Sequence, residues 1–155
     1  MSETEHVQGI PMRESLAEFV QILRGENVNG AGRLFGGHIM GWMDEVSAVS
    51  ARRYSKGPVT TAAAESIRFL RPAFANQTMV VRGRVVRTGR TSMDVYMTAE
   101  VEELSGERVL IADGHFILVA LDESEKTSRP IPPVIAETEE EAELMRQAAE
   151  RYQKK

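Results

Sequence analysis

Residues 38–54, HIMGWMDEVSAVSARRY, decide the fold. Ile39, Met40, Trp42, Met43, Val46 and Val49 spread around most of a helical circumference instead of lining one stripe, and a helix apolar nearly all round is a buried one. Arg52 and Arg53 bring the first run of polarity, and Ser55-Lys56-Gly57-Pro58 ends the helix. Strands are predicted after it, over residues 59–70 and 78–88, with Gly89 offering a turn. Residues 93–102 alternate, with Met93, Val95, Met97, Ala99 and Val101 on one side and charged or polar residues on the other, which is the pattern of a half-buried antiparallel strand. Ser105-Gly106 supplies a hairpin turn, and residues 108–121 are apolar on both faces, as an interior strand requires.

Before the helix, residues 26–37 hold four glycines and two asparagines and read as a loop. Residues 15–24, SLAEFVQILR, fit a helix or a strand equally well, because the doublets Phe19-Val20 and Ile22-Leu23 suit both periods. After Pro130, Pro132 and Pro133, Thr138 and Glu141 form a capping box for a helix over about 138–152, whose Ala142, Met145, Ala149 and Tyr152 stripe would dock on the body or on a partner subunit. The order is α+β: an antiparallel sheet wrapped around one long buried helix, plus a peripheral C-terminal helix. The expected division is a disordered tail over 1–10, one domain over 11–128, and a Pro-rich linker and amphipathic helix over 129–155.

At 155 residues, 42% hydrophobic and 27% charged, the chain has room for one real core. It has no cysteine, which excludes disulfides, thiolate metal sites and a cysteine nucleophile. His6, His38 and His115 are scattered, so no metal site is expected. No apolar run approaches the ~20 residues of a membrane span, and the acidic start is unlike a signal peptide, so a cytoplasmic protein is expected. The net charge of -4 argues against a nucleic-acid binder, but it conceals segregation: residues 52–90 carry +8 and residues 91–155 carry -8. The basic segment could hold a small anion, or it could pair with the acidic strands that follow.

Asp44 stands in the middle of the apolar helix, where an unpaired buried carboxylate costs several kcal/mol. Helical steps place Gly37, Gly41, Ala48 and Ala51 on its face, so a backbone or a ligand could approach closely. An Asp in such a place either carries chemistry or pairs with an arginine or backbone groups. Upstream, Asn29, Gly30, Gly32, Gly36 and Gly37 lead into the helix, and glycine amides at a helix N-terminus suit an anion or a developing oxyanion. Backbone donors and a carboxylate base are sufficient parts for hydrolysis. His38 is expected to pack or be solvated near the helix start, His115 to be structural, and Met40, Met43, Met93 and Met97 to be core.

The run Asn29-x-x-Gly32-x-Leu34-Phe35-Gly36-Gly37, followed by Met40 and Met43-Asp44, resembles the signature of hotdog-fold acyl-CoA thioesterases. The resemblance is to the bacterial short acyl-CoA hydrolases related to the cytosolic brain-type enzyme. Phe69-Leu70-Arg71-Pro72, Gly89-Arg90-Thr91-Ser92, Phe116-x-x-Val119-Ala120-Leu121-Asp122 and Arg129-Pro130-Ile131-Pro132 extend it over residues 15–133. It implies hydrolysis of an acyl-CoA thioester to free acid and CoA, with Asp44 as general base or nucleophile and Asn29 orienting the water or thioester. It further implies an oxyanion held by the amides of Gly36 and Gly37, a water contact at Thr61, and CoA binding by Arg71, Gly89, Arg90, Thr91 and Ser92. No cofactor is implied, since coenzyme A is part of the substrate. The site would be shared between subunits of a dimer, commonly built into a trimer of dimers. Asn27, two residues before Asn29, could exchange roles with it in a shifted register. The alternatives are a non-catalytic acyl-CoA sensing or carrier module, and enoyl-thioester hydration, which would need a histidine at a spacing this chain lacks.

Overall fold

The computed structural model describes residues 8–154. Residues 1–7, with His6 and most of the expected disordered tail, lie outside them. The strand β1 (Ile10–Pro11) pairs in parallel with β7 (Val134–Ile135). The open segment around residue 20 is a strand, β2 (Ala17–Ile22), because it pairs antiparallel with β4 (Thr78–Thr88). The long helix α1 (Gly36–Ser55) follows, and then β3 (Val59–Phe69), β5 (Ser92–Glu102), β6 (Arg108–Ala120) and the helix α2 (Glu139–Gln153). The five long strands form one antiparallel sheet in the order β2-β4-β5-β6-β3, so β2 and β3 are its edges.

The inner face of this sheet wraps α1. Met79, Val81, Val85, Met93, Val95, Met97, Phe116 and Leu118 are buried against Ile39, Met43 and Val46. The alternation in residues 93–101 is the cause: every second side chain of β5 points to the helix. Each fully buried side chain of this size contributes about 2 kcal/mol. Met43, Met93 and Met97 are core, as expected, while Met40 is half-buried.

Two departures from the sequence reading concern faces, not elements. The helix α1 is buried along its sheet-facing side, but Gly37, Gly41, Asp44, Glu45 and Val49 are exposed in the single chain. Small residues on that side had made the outer face look like core. The helix α2 docks through Leu144, Met145, Ala148 and Arg151, while Ala142, Ala149 and Tyr152 of the expected stripe are exposed. Its docking face is partly polar because the sheet's outer face is polar too. Thr138 Oγ1 accepts from the Glu141 amide at 3.1 Å as the capping box requires, but the Glu141 carboxylate accepts from the Glu137 amide.

The edge strand β3 is irregular. Its register on β6 breaks between Thr61 and Ala63 and again between Glu65 and Arg68, and Ser66 has φ +54°. The second break folds Ile67 over Gly114 of β6, so closely that a Cβ at Gly114 would lie 3.3 Å from the Ile67 Cα and inside its side chain.

Candidate functional site

Asp44 and Thr61 meet where α1 faces the edge strand. Thr61 Oγ1 donates to Asp44 Oδ1 at 2.8 Å, and both residues are exposed. Thr61 opposes Leu118 across β3 and β6, which puts it on the helix side of the sheet. The Asp44 carboxylate therefore keeps Oδ2 without a partner among the described residues. It is not the buried acid that the apolar helix suggested. An exposed carboxylate steadied by one neutral donor is available to take a proton, and the flanking Gly37 and Gly41 leave its surroundings open.

The loop before α1 separates the two asparagines. Asn27 is buried, and its Oδ1 accepts from the Arg24 amide at 2.8 Å and from Gln21 Nε2 at 3.2 Å, while its carbonyl accepts from the Phe35 amide at 3.0 Å. That set of bonds fixes the loop to the start of the helix. Asn29 is exposed, and its Oδ1 accepts from the amides of Ala31 at 2.9 Å and Arg33 at 3.3 Å. Its Nδ2 has no partner among the described residues and can donate to a ligand. The turn that follows needs Gly32, whose φ is +78°.

No side chain caps α1. The exposed Phe35 ring lies across Gly37, at 2.5 Å from where a Cβ would be, so a side chain there would displace the ring. Gly36 and Asn29 line a cleft of about 360 Å³ with Arg33, Ile39, Phe69 and Arg71. The uncapped amides at the helix start and two guanidinium groups make this cleft receptive to negative charge. Arg71 Nη1 donates to the Leu110 carbonyl at 3.0 Å, which holds the side chain along the cleft. Arg33 belongs to this group and sequence reasoning missed it, although its place inside the glycine loop was a usable signal.

The expected site residues thus fall into three groups in one chain. Asp44 is with Thr61. Asn29, Gly36 and Arg71 share the cleft, and Gly37 adjoins it. Gly36 and Gly37 lie eight and seven residues from Asp44, about 10–12 Å of helical rise. Gly89, Arg90, Thr91 and Ser92 form the β4–β5 turn, with the Gly89 amide donating to Ser92 O at 2.9 Å. That turn lies beside Val119 of β6, whereas Phe69 lies beside Ala112, about 23 Å along the strand. Arg90 is exposed there, and its carbonyl accepts from the Ile131 amide at 3.0 Å.

Much of the basic segment is occupied by intrachain partners. Arg68 grips Asp113 with bonds of 2.9 and 2.6 Å, Arg82 pairs with Glu18, Arg84 with Glu140, and Arg87 stacks 3.7 Å over the Tyr152 ring. On the outer face, His115 donates from Nδ1 to Asp94 at 2.7 Å and stacks on Tyr96, so it is structural as expected. Burial, and then the adjacent Asp113 carboxylate, push the Tyr96 hydroxyl up to about 12. His38 packs between the Phe35 and Trp42 rings.

Residues 31–106 match the family described as the thioesterase superfamily. The chain is 35% identical over 126 residues to the uncharacterised acyl-CoA thioester hydrolase YkhA of Bacillus subtilis, covering 81% of this chain and 73% of that one. A crystal structure of an apo-hexameric acyl-CoA thioesterase superposes with a TM-score of 0.90 at 32% identity, over 96% of this chain and 95% of the other. An acyl-CoA hydrolase of Staphylococcus aureus, solved with butyryl coenzyme A, coenzyme A and coenzyme A disulfide, gives 0.90 at 25% identity, over 95% and 90%. Hotdog architecture is common to these neighbours and to the sheet and helix described above.

Proposed function

The chain belongs to the thioesterase superfamily and is an acyl-CoA thioester hydrolase, and on that premise we propose that Asp44 is its catalytic carboxylate. The observation that carries the assignment is the Thr61–Asp44 hydrogen bond of 2.8 Å on an open, small-residue face. With Oδ1 engaged, Oδ2 is the oxygen turned to a water. Asp44 takes a proton from that water as its oxygen attacks the acyl carbonyl. The oxyanion is held by the amides at Gly36 and Gly37, with Asn29 Nδ2 as a further donor. Collapse breaks the carbon–sulfur bond, the electron pair leaves on sulfur, and Asp44 returns the proton to give free acid and CoA thiol.

These parts do not serve one carbonyl within one chain, because the amides and Asp44 are about 10–12 Å apart along α1. A second copy laid against the exposed face of α1 would bring its Asn29 and helix start to this Asp44. Gly37 and Gly41 on that face support a close approach. We propose a dimer as the minimal active unit and a trimer of dimers as the assembly, which the hexameric relative supports. In that arrangement the CoA-binding residues are Arg71 and the turn Gly89, Arg90, Thr91 and Ser92, drawn from different subunits. No metal or other cofactor enters the reaction, and a cytoplasmic location suits the substrate.

The test is release of free CoA, followed by thiol trapping over a panel of acyl chain lengths. Asp44→Ala is expected to lose at least about a hundredfold in kcat while remaining folded, since a general base contributes ~10²–10⁴-fold. CoA release near the wild-type rate would overturn the assignment. A single turnover in heavy-oxygen water places the label in the free acid alone for a base, whereas label found in Asp44 marks a nucleophile whose mixed anhydride is opened by water at the Asp44 carbonyl.

A further inference from the structure

The outer face of the sheet carries a charged cluster that the reaction does not use. Arg151, near the end of α2, donates from Nη1 to Glu65 of β3 at 2.7 Å and from Nη2 to Asp94 of β5 at 2.6 Å. It spans β6, whose His115 is register partner to Glu65 and donates to the same Asp94. The Arg151 side chain is 17% exposed and that of Asp94 is 4%. Hydrogen bonds between ionised groups in such surroundings are strong and directional. One guanidinium therefore ties the edge strand to the centre of the sheet.

The anchor point on β3 matters. Glu65, in register with His115, is the last paired residue before the second break in that strand's register, next to Ser66 with its positive φ. Four residues earlier and on the opposite face, the same strand delivers Thr61 to Asp44. Thr61 and Glu65 thus lie on one continuous strand, with the first register break between them.

From this juxtaposition we propose that Arg151 is a positioning residue for catalysis: through Glu65 it holds β3 in the place from which Thr61 orients Asp44. The inference rests on the assignment of Asp44 and Thr61 made above. It gives α2, which lies outside the matched family region of residues 31–106, a role in turnover beyond that of a cover.

The test is a cycle of variants in the full-length oligomer, read as kcat and KM for one acyl-CoA together with thermal stability. Arg151→Ala is expected to lower kcat about tenfold with KM nearly unchanged, because small misplacements far from the chemistry are costly. Arg151→Lys, which keeps one ion pair, should recover part of the loss. Glu65→Gln, which takes the charge from the β3 end of the tether but keeps an amide oxygen able to accept from Arg151, should move kcat in the same direction by a smaller amount, and it serves if Arg151→Ala folds poorly. The deciding measurement is made in the Thr61→Ala background, where Arg151→Ala and Glu65→Gln should add no further loss in kcat. Wild-type kcat in Arg151→Ala and Glu65→Gln, or losses that multiply with that of Thr61→Ala, would overturn the proposal. Failure of the underlying assignment is seen separately, as unchanged turnover in Asp44→Ala.

Discussion

Asp44 projects from α1 into an open face with one neutral donor, Thr61, whereas Asp113 lies beneath the outer face with its oxygens taken by the Arg68 fork and the Tyr96 hydroxyl. Both are aspartates on regular elements, and their surroundings divide the work. The Asp113 carboxylate is buried and fully bonded, so its charge serves to hold β3, β5 and β6 in register. The Asp44 carboxylate has an unused oxygen and room beside it. A charge that is fully satisfied is structural, and one left partly satisfied is free to do chemistry.

Exchanging the two losses is the strongest way to break this contrast. Asp44→Ala should remove at least about a hundredfold of kcat while the chain stays folded, with a smaller loss of stability than Asp113→Ala. Assays of CoA release and thermal melting on the same preparation check both halves. Asp113→Ala should do the reverse, costing about 2 kcal/mol through its lost charge-assisted bonds, with kcat per folded chain falling far less than in Asp44→Ala, since the Arg68 grip lies beyond the second register break and seven residues from Thr61. Denaturant titration measures that cost, and a large fall in kcat would blur the division.

Thr61→Ala tests how much of the Asp44 geometry depends on one hydroxyl. A hydrogen bond to a charged group is worth about 1.5–3 kcal/mol, so kcat should fall about ten- to hundredfold, with Thr61→Ser retaining most of the rate. The smallest effect belongs to Tyr96. Its folded hydroxyl is held at about 12 by burial and by Asp113, against an ordinary 10.0, so the unfolded chain releases that proton first. The stability it contributes is whole below pH 10 and is lost as pH rises from 10 towards 12. Melting temperatures across that window should fall less steeply in Tyr96→Phe than in the parent chain.

The elements were legible because apolar patterning is strong where the core is. Residues 93–102 alternate without a break, and α1 and the strands around it fall within a residue or two of their expected bounds. Faces were harder. The segment around Phe19 could be settled only by pairing with β4, which no local period encodes. The exposed side of α1 is built of glycines, Val49, Asp44 and Glu45, and none of the described residues covers it, a fact that residue order does not carry. The docking side of α2 escaped because Arg151 does there what an apolar residue usually does.

For the site, Asp44 stood out as an acid among apolar residues, and Thr61 beside it confirms that the helix and β3 meet there. The distribution of Arg71 and the turn at Gly89 over two ends of the sheet could not be read from residue order, because it depends on how far β6 runs between them. Which arginines were already engaged was equally hidden, since Arg68, Arg82 and Arg84 find acids 45, 64 and 56 residues away.

The notch at Gly114 is a concealed point of mutational fragility. One methyl group there, on a strand that holds none of the assigned site residues, has nowhere to go but into Ile67, and so into the strand that carries Thr61. A random screen for lost activity should return this glycine alongside Asp44. Nothing in its chemistry would explain the hit; the explanation is the room it leaves for a neighbour.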